Sequence, residues 1–186
     1  MSGFLANLRD TCLFRRGPED MPYSPPLLVA LLVACAAMQV GFNLDDGAKP
    51  AVVAGSIIGG LVAIGVVSLL LRGRGKPERF VQTTTSLAAV YLLFGLVNNL
   101  LTLLLPLRAL RQGLTSHPAH LPPLSGGQTL VVFVVAALEI WQLCVWIGIL
   151  RRALDMTVAG GVLVFLLLMF VNLVVMALIA NVVGAA

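Results

Sequence analysis

The sequence predicts an all-α protein: an integral membrane bundle of five transmembrane helices, preceded by a short interfacial helix. Three observations lead there. The chain is 59% hydrophobic and only 11% charged, with a mean hydropathy of +1.01, whereas a soluble domain is about a quarter charged. Its apolar residues fall into five runs, each near the ~20 residues that a helix needs to cross a bilayer. The polar stretches between them are too short to fold as a separate globular domain.

Residues 1–24 form a segment ahead of the first span. Phe4, Leu5, Leu8 and Cys12 recur at helical spacing, with Asn7, Arg9 and Asp10 between them. That pattern suits an amphipathic helix lying in the interface. Gly17-Pro18 breaks it, and Pro25-Pro26 opens the first span, where missing N–H groups do no harm. The first apolar run reaches Leu44 and four more follow, so it reads as a retained span and not as a cleaved signal. The spans fall at about 25–44, 51–71, 84–105, 129–150 and 157–183, giving a five-helix membrane domain over 25–186. Asp45-Asp46-Gly47 makes a turn between the first two. The loop RGRGKPERF joins the second to the third. The longest loop, Pro106–Gln128, carries four prolines and both histidines.

Counting Lys and Arg sets the orientation, because cytoplasmic loops are enriched in both. Arg9, Arg15, Arg16, Arg72, Arg74, Lys76, Arg79, Arg151 and Arg152 lie on one side, nine in all. Lys49, Arg108 and Arg111 lie on the other. The N-terminus is therefore expected in the cytoplasm and the C-terminus outside it. Ten of the twelve basic residues are Arg, and Ala, Gly and Val abound, which points to a GC-rich bacterial genome and a bacterial inner (cytoplasmic) membrane. The net charge of +4 resides in short loops beside apolar spans. Topology and lipid headgroups explain it, so the bilayer is a partner and nucleic acid is not. Arg72, Arg74, Lys76 and Arg79 are the candidate headgroup contacts.

Two patterns bear on how the helices meet. Ala51, Gly55, Gly59 and Ala63 recur every four residues on the second span. Such a small-residue groove lets another backbone approach closely in lipid, from within the bundle or from another subunit. The second pattern is a polar layer. At 1.5 Å per residue, Glu139 lies ~18 Å from the basic end of its span, Gln39 ~20 Å, Asn98 and Asn99 ~21–23 Å, and Asn172 ~20–22 Å. Gln142 sits one turn from Glu139. Buried polar groups in hydrocarbon need partners, and these six can partner one another as interhelical glue. Alternatively they build a solute or proton site around Glu139, since an intramembrane carboxylate is a functional candidate by default.

Other chemistry is missing. There is no HExxH and no GxSxG. Gly75-Lys76 is followed by Pro77 and preceded by Leu at position 70, so the phosphate-loop pattern fails. His117 and His120 stand in a loop without Cys, Asp or Glu, short of the four ligands of a structural zinc site. Cys12, Cys35 and Cys144 have no metal-type spacing. No cofactor and no enzymatic activity are expected.

The segment ERFVQTTTSLAAVYLLFGLVNNLL leads through the third span. The fourth carries Trp141 and runs out through GILRRALDMTVAGGVLV into the fifth. With five spans after a short N-terminal segment, this layout resembles bacterial proteins of the Yip family, the Rab/Ypt-interacting five-span membrane proteins. The resemblance implies a multi-pass helical bundle. Eukaryotic members are associated with vesicle traffic and small GTPases and carry DLYGP and GY motifs. Neither occurs here, and no functional residue is carried over.

The leading expectation is a non-enzymatic scaffold or subunit of a membrane assembly, partnered by other membrane proteins or by itself. The alternative is a small transporter or permease component that uses Glu139. The orientation is directly testable. A reporter active only outside the cytoplasm should be active when fused after Ala186 and silent when fused after Arg74. The opposite pattern would overturn the charge argument.

Overall fold

The computed structural model describes residues 2–45, 50–105 and 124–184. The turn at 46–49, with Lys49, and the loop segment 106–123, with Arg108, Arg111, His117 and His120, lie outside the described residues. Every described element is helical: α1 Ser2–Cys12, α2 Pro25–Asp45, α3 Pro50–Gly73, α4 Phe80–Thr102, α5 Gly126–Ala153 and α6 Val158–Gly184. Short 3₁₀ turns at Pro18–Asp20 and Pro77–Arg79 lead into α2 and α4. Helices α2 to α6 are long and apolar enough to cross a membrane. Their outer faces expose large apolar side chains such as Leu69, Phe133, Phe170 and Leu173, a surface that lipid solvates and water does not. The protein is a multi-pass membrane bundle.

Helix α5 begins earlier than the apolar run suggests. Ser125 Oγ accepts the Gln128 N–H at 3.3 Å, and Gln128 Oε1 accepts the Ser125 N–H at 3.0 Å. This reciprocal capping box satisfies two otherwise orphaned donors and adds a turn. Arg151 and Arg152 occupy the last turn, where cations complement the helix dipole.

The packing is a closed circuit. Helix α2 packs on α4, α4 on α5, α5 on α6, α6 on α3, and α3 returns to α2 and α4. Helix α4 is the hub. In the apolar stretch that contains it, 44% of the residues are buried, against 11–22% in the other four. Its N-terminal half carries Thr83, Thr84, Thr85 and Ser86, all of them buried. A helix this polar on several sides cannot face lipid, because unpaired polar groups cost several kcal/mol there.

The N-terminal segment completes the wrapping. Helix α1 turns its apolar stripe onto the bundle, with Leu8 and Thr11 buried and Phe4 and Cys12 packed against the same core as Ala89, Val90, Val145 and Ile149. The helix expected at the interface docks on α4 and α5, while Leu5, the fourth residue of its apolar pattern, stays exposed. Trp141 Nε1 donates to the Cys12 carbonyl at 3.0 Å, and Arg152 Nη2 to the Phe14 carbonyl at 2.7 Å. Gln82 Nε2 donates to the carbonyls of Glu19 and Met21 at 3.1 and 2.9 Å. Phe14 adopts φ +60°, a strained conformation for a bulky residue. Its ring stands beside Trp141 and fits over Gly148, where a Cβ would approach within 3.3 Å. Burial pushes the Cys12 thiol above its ordinary value, which makes it a packing group and not a nucleophile.

The basic loop is partly committed to the fold. Lys76 and Arg79 both pair with Asp155, Arg79 at 3.0 Å, and Arg79 also donates to the carbonyls of Arg152 and Ala153 at 3.2 and 3.3 Å. Asp155 sits at φ +46°, a conformation Asp tolerates better than most residues. This clasp ties the α3–α4 connection to the α5–α6 corner. Of the four candidate headgroup contacts, Arg72 and Arg74 are left exposed and unpaired by it.

The small-residue groove of α3 faces α6. A Cβ at Gly55 would lie 2.9 Å from Met176 Sδ, and one at Gly59 within 3.2–3.3 Å of the Asn172 amide. Ala63 is half-buried; the Ala51 side chain lies outside the described residues. Gly161 makes a less forgiving approach, since its Cβ would meet the Ile147 carbonyl at 3.0 Å, and backbone cannot step aside. Gly59→Leu should therefore destabilise the bundle by about 1–3 kcal/mol, the usual cost of overpacking. Gly65→Leu should be nearly neutral, because nothing lies within 4 Å of that position. Thermal melting in detergent checks both. Equal melting of the two variants would contradict this packing.

Candidate functional site: a polar cavity between three helices

Part of the polar content of α4 lies on one stripe. Thr84, Tyr91, Asn98 and Thr102, with Ala88 and Gly95 between them, recur every three or four residues, which stacks them on one face. Near the end of α4 remote from the basic loops, the helices part and leave a cavity of about 280 Å³. Met38, Gln39 and Phe42 line it from α2, Tyr91, Gly95, Asn98, Asn99 and Thr102 from α4, and Val135, Glu139 and Gln142 from α5. Glycine at 95 lets α2 and α4 approach, because a Cβ there would come within 2.6 Å of the Met38 methyl carbon.

The wall is held by its own hydrogen bonds. Asn98 Nδ2 donates to Glu139 Oε1 at 2.6 Å, a short charge-assisted contact when the carboxylate is ionised. Gln39 Nε2 donates to the Tyr91 hydroxyl. Asn99 Nδ2 donates to the Gly95 carbonyl and Thr102 Oγ1 to the Asn99 carbonyl, both at 2.8 Å, so these two are anchored on their own helix. Asn98 is only 7% exposed, and its side-chain carbonyl has no hydrogen-bond partner among the described residues. Glu139 is exposed on the cavity side of α5. Among the described residues no Lys, Arg or His lines the space, and Glu139 is its one acidic group.

Five of the six expected layer residues meet here: Gln39, Asn98, Asn99, Glu139 and Gln142. Asn172 does not. It packs against Gly59 of α3, on the far side of the circuit. Counting residues from the basic end fixed the height of each side chain but not its direction around the helix axis. Sequence reasoning also missed Tyr91, Phe42, Met38 and Thr102. Tyr91 and Thr102 were open to discovery, since they share the helical stripe of Asn98. Phe42 and Met38 carry no signal that separates them from lipid-facing residues.

Below the cavity, the buried hydroxyls of Thr83, Thr84 and Thr85 and the Trp146 indole N–H have no hydrogen-bond partner among the described residues. Tyr91, Trp146 and Phe165 form a row of rings with centroids 6.1 and 6.2 Å apart, linking the cavity floor to α6. Among the described residues, no three His, Cys, Asp or Glu side chains come together to hold a metal ion. No family model, no curated protein and no solved structure matches this chain.

The Asn98–Glu139 pair predicts an asymmetric response. Glu139→Gln keeps an acceptor for the Asn98 amide and should melt as the parent does. Glu139→Leu leaves that buried donor unpaired and should lose about 1–3 kcal/mol. Parallel melting curves of the two variants check it, and equal losses would show that the contact is not structural.

Proposed function

We propose that the protein is a small, non-enzymatic transport component of a membrane, and that the cavity between α2, α4 and α5 receives its solute on Glu139. The observation that supports this most is the combination of a void with a carboxylate on its wall. A carboxylate that serves only as glue needs an enclosed partner and no empty volume. Here Asn98 engages one oxygen, and five further polar side chains, Gln39, Tyr91, Asn99, Thr102 and Gln142, surround the same space. Concave sites with a few convergent polar groups between helices are where membrane and soluble bundles alike bind small ligands.

The scaffold reading draws its support from the small-residue groove, and α6 covers that groove with Met176, Ile179 and Asn172. The groove is then internal packing and offers nothing to a partner. In the proposed orientation the basic end, with α1 and the clasp, faces the cytoplasm of a bacterium, and the cavity lies in the outer half of the inner membrane. The Yip-like layout enters this reading as an arrangement of spans and brings no site residue.

A transport site must be wet. In a background with Cys12, Cys35 and Cys144 replaced, Asn99→Cys and Thr102→Cys should react with a charged, membrane-impermeant thiol reagent. Leu100→Cys, on the exposed apolar side of α4, should not. Reaction of Asn99→Cys from both faces of sealed vesicles is the signature expected of a transporter. Absence of labelling at both cavity positions would sink the proposal.

A further inference from the structure

The cavity's chemistry narrows its occupant. This step rests on the cavity being the solute site. Its wall holds acceptors that its own amides leave unmet. One N–H each of Asn98, Gln39 and Asn99 is committed, to Glu139, the Tyr91 hydroxyl and the Gly95 carbonyl. The buried Asn98 carbonyl is unpartnered, and an ionised carboxylate has roughly four lone-pair directions, of which one N–H meets one. An occupant that donates hydrogen bonds repairs this, while one that only accepts them does not.

Charge points the same way. Among the described residues, Glu139 is the only charged group lining the cavity. In a low-dielectric surround a carboxylate favours a cation and repels an anion. Beside the polar groups, the wall carries four apolar or aromatic side chains, Met38, Phe42, Val135 and Tyr91. Rings beside a cation add cation–π attraction, and the aliphatic groups suit an alkyl chain. A bare inorganic ion leaves those four side chains without a role. Transition metals prefer imidazole nitrogen and thiolate sulfur, and among the described residues the lining offers neither. The volume, about 280 Å³, matches roughly nine water molecules at ~30 Å³ each, so the occupant is small.

We propose that the cavity binds a small alkylammonium cation, its N–H donors on Glu139 and the Asn98 carbonyl and its alkyl part against Met38, Phe42 and Val135. The ammonium group thereby replaces the solvation that membrane depth denies the carboxylate.

Calorimetric titration of the full chain in lipid nanodiscs, near neutral pH and at constant ionic strength, tests this. The probes are butylammonium, butyrate, 1-butanol and sodium chloride. Saturable binding of butylammonium is expected, with none of the other three competing at equal concentration. Glu139→Gln should weaken it at least tenfold while melting as the parent does. Val135→Phe, which fills the cavity without touching a charge, should abolish it. Arg74→Gln, outside the cavity, should leave it unchanged. Binding of butyrate or butanol that survives Glu139→Gln would overturn the cation assignment and keep the cavity as a solute site. Displacement of butylammonium by sodium would overturn the organic class. If no probe binds while Asn99→Cys is still labelled, the ammonium inference alone fails; if labelling fails too, the solute site fails with it.

Discussion

A polar helix placed inside a bilayer must be surrounded. Helix α4 carries Gln82, four threonines, a serine, a tyrosine and two asparagines within one apolar frame. Lipid offers none of these a partner, so their burial is the constraint the other elements satisfy. Helices α2 and α5 cover opposite flanks, α3 touches a third, and the N-terminal segment closes the end near the basic loops. The closed circuit of packing follows, as does the contrast between a largely enclosed α4 and four helices that mostly face lipid. The enclosure is incomplete in one place only among the described residues of the α4 stripe. Between Tyr91 and Thr102 the flanking helices bring polar side chains of their own and leave a space where contact would otherwise be made.

The number and length of the spans were legible because hydrophobic length is a one-dimensional property, read directly along the chain. The extra turn of α5 was also written there, as Ser125 and Gln128 at capping-box spacing, but apolarity alone does not register a cap. The site was half legible. Depth along a helix axis is arithmetic, and it assembled Gln39, Asn98, Asn99, Glu139 and Gln142. Azimuth depends on which neighbours a helix acquires. Asn172 shares the depth but belongs to α6, whose polar face is claimed by Gly59 of α3. The same ambiguity affects charges. Lys76 and Arg79 look like Arg72 and Arg74 in sequence, and only the position of Asp155 at φ +46° separates the pair that clasps the fold from the pair that does not.

Glycine serves two different purposes here. Gly55, Gly59 and Gly161 remove bulk where helices cross, with neighbours ranging from a flexible methionine to rigid backbone. Gly95 removes bulk at the rim of the cavity and so shapes the space as well as the packing. The four-residue spacing of small residues that finds the first two finds neither Gly95, which sits on the polar stripe of α4, nor Gly161.

The strap formed by α1 and the turn after it has a consequence in time. Its anchors, Trp141 and Arg152, lie 129 and 138 residues further along the chain. At a synthesis rate of ~5–20 residues per second, roughly 7–28 s separate the emergence of Phe14 from that of Arg152. Helix α4 is made well before α5, so the stripe of Phe4, Leu8 and Cys12 gains Ala89, Val90 and Phe94 as neighbours first and the two α5 anchors only later. The strap is thus a seam closed in two stages, by apolar contact and then by hydrogen bonds to its carbonyls.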